Sequence, residues 1–313
     1  MRPPSRSPRS IAALLPCALA LAACTDPARI TSPTRGDTLD APLSKQGTTA
    51  DRILFFSGSP SDVFSIAPDG TGLIQLTTSD AWDRDPAWAP DGKRVLIASG
   101  ADNGVNLAIY AMNSDGTGVT RLTSPGLMED DFNPRALGKD IAYNHVDGTV
   151  LSYTIWKMAA DGSDRTRLTD GPGDYYPAPS PSGKQIAFVR LNDVYVVDVD
   201  TRALVNLTRS VAWEDQPAWS PNGKQIVFTR VVDPTTGSTD IFVMNADGTE
   251  VTRLTDAPDY EQRPQWSPDG KWIAFTATYG LGQGVWRMAA DGTSVNAVID
   301  APLLFANMGA WAR

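Results

Sequence analysis

One short pattern recurs along this chain, and few folds can accommodate it. Its first half reads Pro-x-Trp, a tight turn, then a β-branched and aromatic run: PAWAPDGKRVLIA at 86–98, PAWSPNGKQIVF at 217–228 and PQWSPDGKWIAF at 264–275. PAPSPSGKQIAF at 177–188 is a fourth copy with Pro179 in the tryptophan slot, and PRALGKDIAY at 134–143 is a shortened fifth. The second half is a strand, an Asp-Gly type turn and a short strand. It appears six times: VFSIAPDGTGLIQLT (63–77), IYAMNSDGTGVTRLT (109–123), IWKMAADGSDRTRLT (155–169), VYVVDVDTRALVNLT (194–208), IFVMNADGTEVTRLT (241–255) and VWRMAADGTSVNAVI (285–299). The turn aspartates Asp69, Asp115, Asp161, Asp200, Asp247 and Asp291 stand 46, 46, 39, 47 and 44 residues apart.

Each unit reads as four strands. Strand A is the Pro-x-Trp segment, B the Lys-x-Ile-Ala-Phe run, C the Ile-Phe-Val-Met run and D the Thr-Arg-Leu-Thr run. β-branched and aromatic residues favour strands, and Asp-Gly supplies the positive φ of tight hairpins. No helical periodicity of useful length follows Ala50. A period of about 40–45 residues with four strands per unit predicts propeller blades. The fold class is therefore all-β: a six-bladed β-propeller with four antiparallel strands per blade.

The two ends complete one blade. The repeats begin with strands B, C and D (Ile53–Ser57, Val63–Ala67, Leu73–Thr77) and finish with Gly309 to Arg313, a lone strand A. Trp311 falls in the slot of Trp88, Trp219 and Trp266. Three N-terminal strands and one C-terminal strand would close the ring and leave only short protected edges. The chain stops as the ring is completed, so no second domain is expected.

The run Pro-x-Trp-Ser-Pro-Asp-Gly-Lys-x-Ile-Ala-Phe, followed by Met-x-Ala-Asp-Gly and Leu-Thr, resembles the propeller repeat of the TolB family, a WD-repeat-like β-propeller. The resemblance covers roughly residues 52–313. It implies the propeller fold, and the same repeat type occurs in peptidases, lyases and signalling proteins. The α/β domain that precedes the propeller in TolB has no counterpart in this sequence.

The first 50 residues have a different character. Arg2, Arg6 and Arg9 precede a 13-residue apolar stretch, Ile11 to Ala23. That is too short to span a bilayer comfortably and reads as a secretory signal. Its end, Leu21-Ala22-Ala23-Cys24, resembles a bacterial lipobox, which implies cleavage after residue 23 and acylation of Cys24. Residues 24–50 then form a disordered tether with no apolar periodicity, about 28 Å in typical reach. Only Cys17 and Cys24 exist, so the mature chain would hold no internal disulfide. Thr25 in place of Asp leans towards the outer membrane. The expected location is the cell envelope, with the lipid as the only membrane contact.

The formal charge of −9 becomes −12 once the three leader arginines are gone. An acidic chain lacks the basic footprint that phosphate binding needs, which argues against nucleic acid. Enzyme signatures are sparse. There is no Gly-x-Ser-x-Gly elbow, no phosphate loop, and a single histidine, His145, which reads as a surface or blade-edge residue. The chain is expected to be a non-catalytic monomer.

One repeated position draws attention. Three residues before the strand A proline stands an acid: Asp83, Asp131, Asp174, Glu214 or Glu261, with Ala306 in the last copy. These positions lie on the D-to-A connections, which share one face beside the central channel. Asp85, Asp130, Asp215 and Asp259 add charge there, and Trp82, Tyr175, Tyr176, Trp213 and Tyr260 add rings. Two readings are open. The acids either ring the channel mouth as a recognition surface, with Ca²⁺ as a variant, or tie each loop to its neighbour through backbone N–H groups. No other cofactor is expected. The rings suit a protein or peptidoglycan-associated partner in the envelope. The alternative is a glycan-binding or glycan-cleaving propeller, because rings stack on sugars and paired carboxylates hydrolyse glycosides.

Overall fold

The computed structural model describes residues 51–100, 106–171, 173–257, 260–279, 282–299 and 306–311. The expected signal segment, Cys24, the tether and Asp259 lie outside them. The described residues form 24 strands in six four-stranded antiparallel sheets.

Blade one joins the two ends: β24 (Asn307–Trp311), β1 (Ile53–Gly58), β2 (Ser61–Ile66) and β3 (Ile74–Gln75), in that order. Blade two is β4 (Asp83–Trp88), β5 (Arg94–Ser99), β6 (Ala108–Asn113) and β7 (Thr120–Arg121). Blade three is β8 (Glu129–Leu137), β9 (Asp140–Asp147), β10 (Ser152–Ala159) and β11 (Thr166–Arg167). Blade four is β12 (Asp174–Pro179), β13 (Gln185–Arg190), β14 (Asp193–Asp198) and β15 (Leu204–Asn206). Blade five is β16 (Glu214–Trp219), β17 (Gln225–Asp233), β18 (Ser238–Asn245) and β19 (Thr252–Arg253). Blade six is β20 (Glu261–Trp266), β21 (Trp272–Tyr279), β22 (Gly282–Ala289) and β23 (Asn296–Ile299). The innermost strands contact one another in sequence, β24 to β4, β8, β12, β16, β20 and back to β24. The ring is closed, and the six blades follow the expected order.

Alternation along strands B and C supplies the core. Ile226, Phe228, Met244 and their equivalents are buried in sheets that face another sheet on both sides. Each strand A tryptophan packs on the preceding blade: Trp219 meets Ala187, Val194 and Val196 of blade four, and Trp311 meets Ala274, Val285 and Val298 of blade six. These inter-blade contacts hold the ring together, because a single four-stranded sheet has no core of its own.

The C–D turns obey one local rule. The carboxylates of Asp69, Asp115, Asp161, Asp247 and Asp291 accept from the backbone N–H and hydroxyl of the Thr or Ser two residues on. Such Asx turns need the following glycine at positive φ. In blade four Asp198, not Asp200, accepts from Thr201. A turn without Asp-Gly moved the capping carboxylate two residues upstream.

Candidate functional site

The five repeated acids sit at or near the start of strand A, and all five are buried. Strand register sets them opposite Ser99, His145, Arg190, Arg230 and Ala277 on strand B. Asp174 accepts from Arg190 Nε at 2.6 Å and Nη2 at 2.9 Å. Glu214 Oε1 accepts from both Nε and Nη2 of Arg230, at 2.9 and 2.6 Å. His145 Nδ1 stands 2.8 Å from Asp131, and that partner raises the histidine pKa against the opposing effect of burial. Asp83 accepts from the Ser79 hydroxyl at 3.1 Å. The expected ring of carboxylates is therefore a ring of interior contacts, with side-chain donors in place of most of the backbone N–H groups foreseen. A carboxylate removed from water must meet a cation or several donors.

Blade six solves the problem differently. Glu261 accepts from Thr255 Oγ1 and Tyr279 Oη, both at 2.8 Å, and lies beside the buried Asp240, which pairs with Arg253. Burial, with Asp240 as a second cause, pushes Glu261 up to about 7.

Two residues further along strand A lies a feature that composition and motif reading missed. The residue before the proline is Asp85, Asn133, Tyr176, Gln216 or Arg263, with φ of 52°, 49°, 53°, 52° and 54°. A side chain in this left-handed region costs on the order of 1 kcal/mol or more. At each of these points the A–B register shifts. Proline has no N–H for the ladder, and a bulge re-aims the residue beside it. The re-aimed side chains meet near the axis. Arg263 Nη1 donates to Asp85 Oδ1 at 3.1 Å, across 178 positions of sequence. The Asn133 carboxamide, oriented with nitrogen towards Asp85, donates to both carboxylate oxygens at 3.2 Å. The Arg263 N–H donates to Gln216 Oε1 at 2.7 Å, and its guanidinium lies 5.1 Å from the Phe56 ring centroid.

This network caps the D-to-A end of a central channel of about 190 Å³ that runs between the six A strands towards the A–B turns. Tyr176 and Gln216 line the channel on one side and a pocket of about 420 Å³ on the other. Blades four and five supply most of that pocket: Tyr175, Tyr176, Asn192, Trp213, Glu214, Asp215 and Gln216, with Gln262 at the border of blade six. Four of the sequence-predicted residues, Tyr175, Tyr176, Trp213 and Glu214, thus come together. Burial pushes the Asp215 carboxyl up to about 6. Trp82 and Tyr260 lie outside the pocket, and the Tyr260 hydroxyl donates to the Thr236 carbonyl at 2.7 Å.

The face carrying the D-to-A and B-to-C connections is apolar in character. Trp82, Trp213 and Tyr260 are 53%, 65% and 45% exposed, and Leu127, Met128, Val150, Leu151, Leu191 and Val211 are exposed beside them in sequence or on the same set of connections. The opposite face carries the Asx turns and the exposed lysines Lys93 and Lys271. Among the described residues, no group of three or more His, Cys, Asp or Glu side chains is placed to hold a metal ion.

Ring closure and blade order together define a six-bladed β-propeller. Residues 191–301 match the family model of the TolB beta propeller domain. Among solved structures, the putative TolB from Agrobacterium tumefaciens is similar at 21% identity and a TM-score of 0.66, over 84% of this chain and 92% of that one. TolB from Acinetobacter baumannii is similar at 20% identity and a TM-score of 0.68, over 85% and 67%. A chain of the nidogen/laminin complex is similar at 13% identity and a TM-score of 0.61, over 78% and 91%. No curated protein matches the sequence.

Proposed function

We propose that this propeller is a non-catalytic, protein-binding scaffold of the cell envelope, tethered by an acylated Cys24 and docking its partner on the D-to-A face. The observation that carries this reading is that the exposed aromatic side chains Trp82, Trp213 and Tyr260, and the most exposed aliphatic ones, Leu127, Leu151, Leu191 and Val211, lie on this face, whereas the C–D side exposes only Leu204 and the valines Val119, Val205, Val251 and Val295. Contiguous apolar surface on one face of a globular protein marks an interaction site, and aromatic residues dominate binding energy in such sites. The buried acids support the non-catalytic part. His145, Arg190, Arg230 and Tyr279 engage Asp131, Asp174, Glu214 and Glu261 in interior contacts, which suits a structural use of these carboxylates. The fold is compatible with a partner-binding role, since a similar propeller occurs in a nidogen/laminin complex.

A second reading, glycan binding, is favoured by one feature: the pocket between blades four and five combines Tyr175 and Trp213 with Asn192, Asp215 and Gln262. One experiment separates the two. Crosslinked pull-downs from membranes compare wild type with the Trp82/Trp213/Tyr260→Ala variant, and both proteins are applied to a glycan array. Loss of a specific protein partner in the variant supports docking on this face. Equal recovery sinks it, and array binding lost with the same variant moves the function to glycans.

A further inference from the structure

Three polar side chains with unused bonding capacity converge on the pocket between blades four and five. Asp215, half-buried on β16, accepts from the Gln216 N–H through Oδ1 at 2.9 Å. Among the described residues its Oδ2 has neither a hydrogen bond nor an ion pair. Arg263 is held by Asp85 at 3.1 Å instead. The carboxamides of Asn192, in the turn between β13 and β14, and of Gln262, on β20, make no hydrogen bond among the described residues either. The other acid on the wall, Glu214, is paired with Arg230. None of the residues described as lining the pocket is Lys, Arg or His. The wall therefore carries one carboxylate whose charge the protein does not answer.

Two aromatic rings complete the wall. Tyr175 and Asp215 hold the same place in consecutive blades, one residue after the repeated acid, so they stand at the same level on neighbouring innermost strands. The Tyr175 ring is backed by Tyr153, with 4.5 Å between centroids. Trp213 is 65% exposed and lies two residues before Asp215. Aromatic faces attract cations, and an unpaired carboxylate beside them does the same.

We propose that this pocket binds an alkylammonium group, held by Asp215 and by the rings of Tyr175 and Trp213. Oδ2 of Asp215 takes the charge, and the side-chain oxygens of Asn192 and Gln262 can accept the remaining N–H groups. A single free carboxylate oxygen suits the point charge of an ammonium, whereas a guanidinium pairs best with two. About 420 Å³ is room for roughly 14 waters at about 30 Å³ each, so the guest carries a carbon body and is not a bare ion. The ammonium can come from a lysine side chain or from a free amine. The pocket opens on the face assigned to docking, but its chemistry holds whether or not that face binds a protein.

Titration calorimetry on the full chain at pH 8, where Asp215 is ionised, tests this. The probes are butylammonium, 1-butanol, butylguanidinium, and acetyl-Ala-Lys-Ala-amide with and without acetylation of its lysine. Butylammonium should bind saturably, and more tightly than butanol or butylguanidinium. Asp215→Asn keeps the shape and should weaken it by about 10- to 100-fold, the range of a lost charged hydrogen bond. Trp213→Leu keeps an apolar side chain at an exposed position, so it decides the matter if Asp215→Asn does not fold. It should weaken binding by about 2- to 5-fold, the range of an exposed cation–π contact. Tighter binding of the lysine peptide than of butylammonium, lost on acetylation, assigns the group to a polypeptide side chain, and the reverse order assigns it to a free amine. No saturable binding of either amine, butanol or butylguanidinium binding as tightly, or unchanged affinity in the folded variants overturns the site. Partner recovery in the pull-down is a separate readout, so the docking face and the pocket can fail independently.

Discussion

Position in the blade sets the chemistry of individual residues. The acid that opens strand A is the same residue type in five blades, yet its partner changes from Ser79 to His145, Arg190, Arg230 and then Tyr279. Glu261, held by two hydroxyls and by no cation of its own, has a strongly altered titration. The unfolded chain ionises glutamate near 4.5, whereas the folded site holds the proton up to about 7. The native state binds more protons between those values, so this group's contribution to stability falls as pH rises from about 4.5 to about 7 and stays low above. His145 acts in the same direction. Its raised pKa gives stability that is complete below about 6.5 and is lost as pH rises through the folded value. Glu261→Gln keeps the neutral form at all pH. Melting temperature against pH should show the variant more stable than wild type at pH 8 and nearly equal at pH 5. An unchanged gap between the two would remove the carboxyl pair as its cause.

At the scale of the strand, A does two jobs at once. Its C-terminal end anchors the blade through tryptophan. Its N-terminal end bulges, because a proline cannot join the ladder and the residue before it adopts positive φ. The first is a packing role, and Trp219 illustrates its weight. The indole lies among Ala178, Val194, Val196 and Phe228, so Trp219→Ala would open a cavity at the interface of blades four and five. The expected cost is about 3–5 kcal/mol, read as a shift in urea midpoint at constant m-value. Blade four shows that the slot tolerates change in context, since Pro179 stands there naturally.

For the whole ring, the decisive contact is the pairing of β24 with β1. Trp311 and Met308 join Ile53, Phe55 and Ile66 in one core, so the last strand closes both a sheet and a cluster. A chain ended before residue 306 should leave β1 as an open inner edge and expose that core. Its melting temperature should fall by at least about 10 °C, given roughly 2–4 °C per kcal/mol at this size. Retention of the wild-type melt would mean that five blades and three strands are self-sufficient.

The sequence by itself determined the number of blades, their strand order and the closure through Trp311, because each rests on local signals. Turn dipeptides, alternation and a tryptophan slot all act within one repeat and can be counted. It also placed Tyr175, Tyr176 and Trp213 on the same face. Whether the acids were exposed, what they paired with and what met at the axis were decided only by tertiary structure. Arg190 and Arg230 each lie 16 residues beyond their acid, a spacing that marks a cross-strand pair once the register is known. The contact of Asp85 with Arg263 joins blades two and six, and nothing local encodes it. The same holds for Asn192, Asp215 and Gln262, which share no motif. The packing of consecutive blades makes them walls of one pocket.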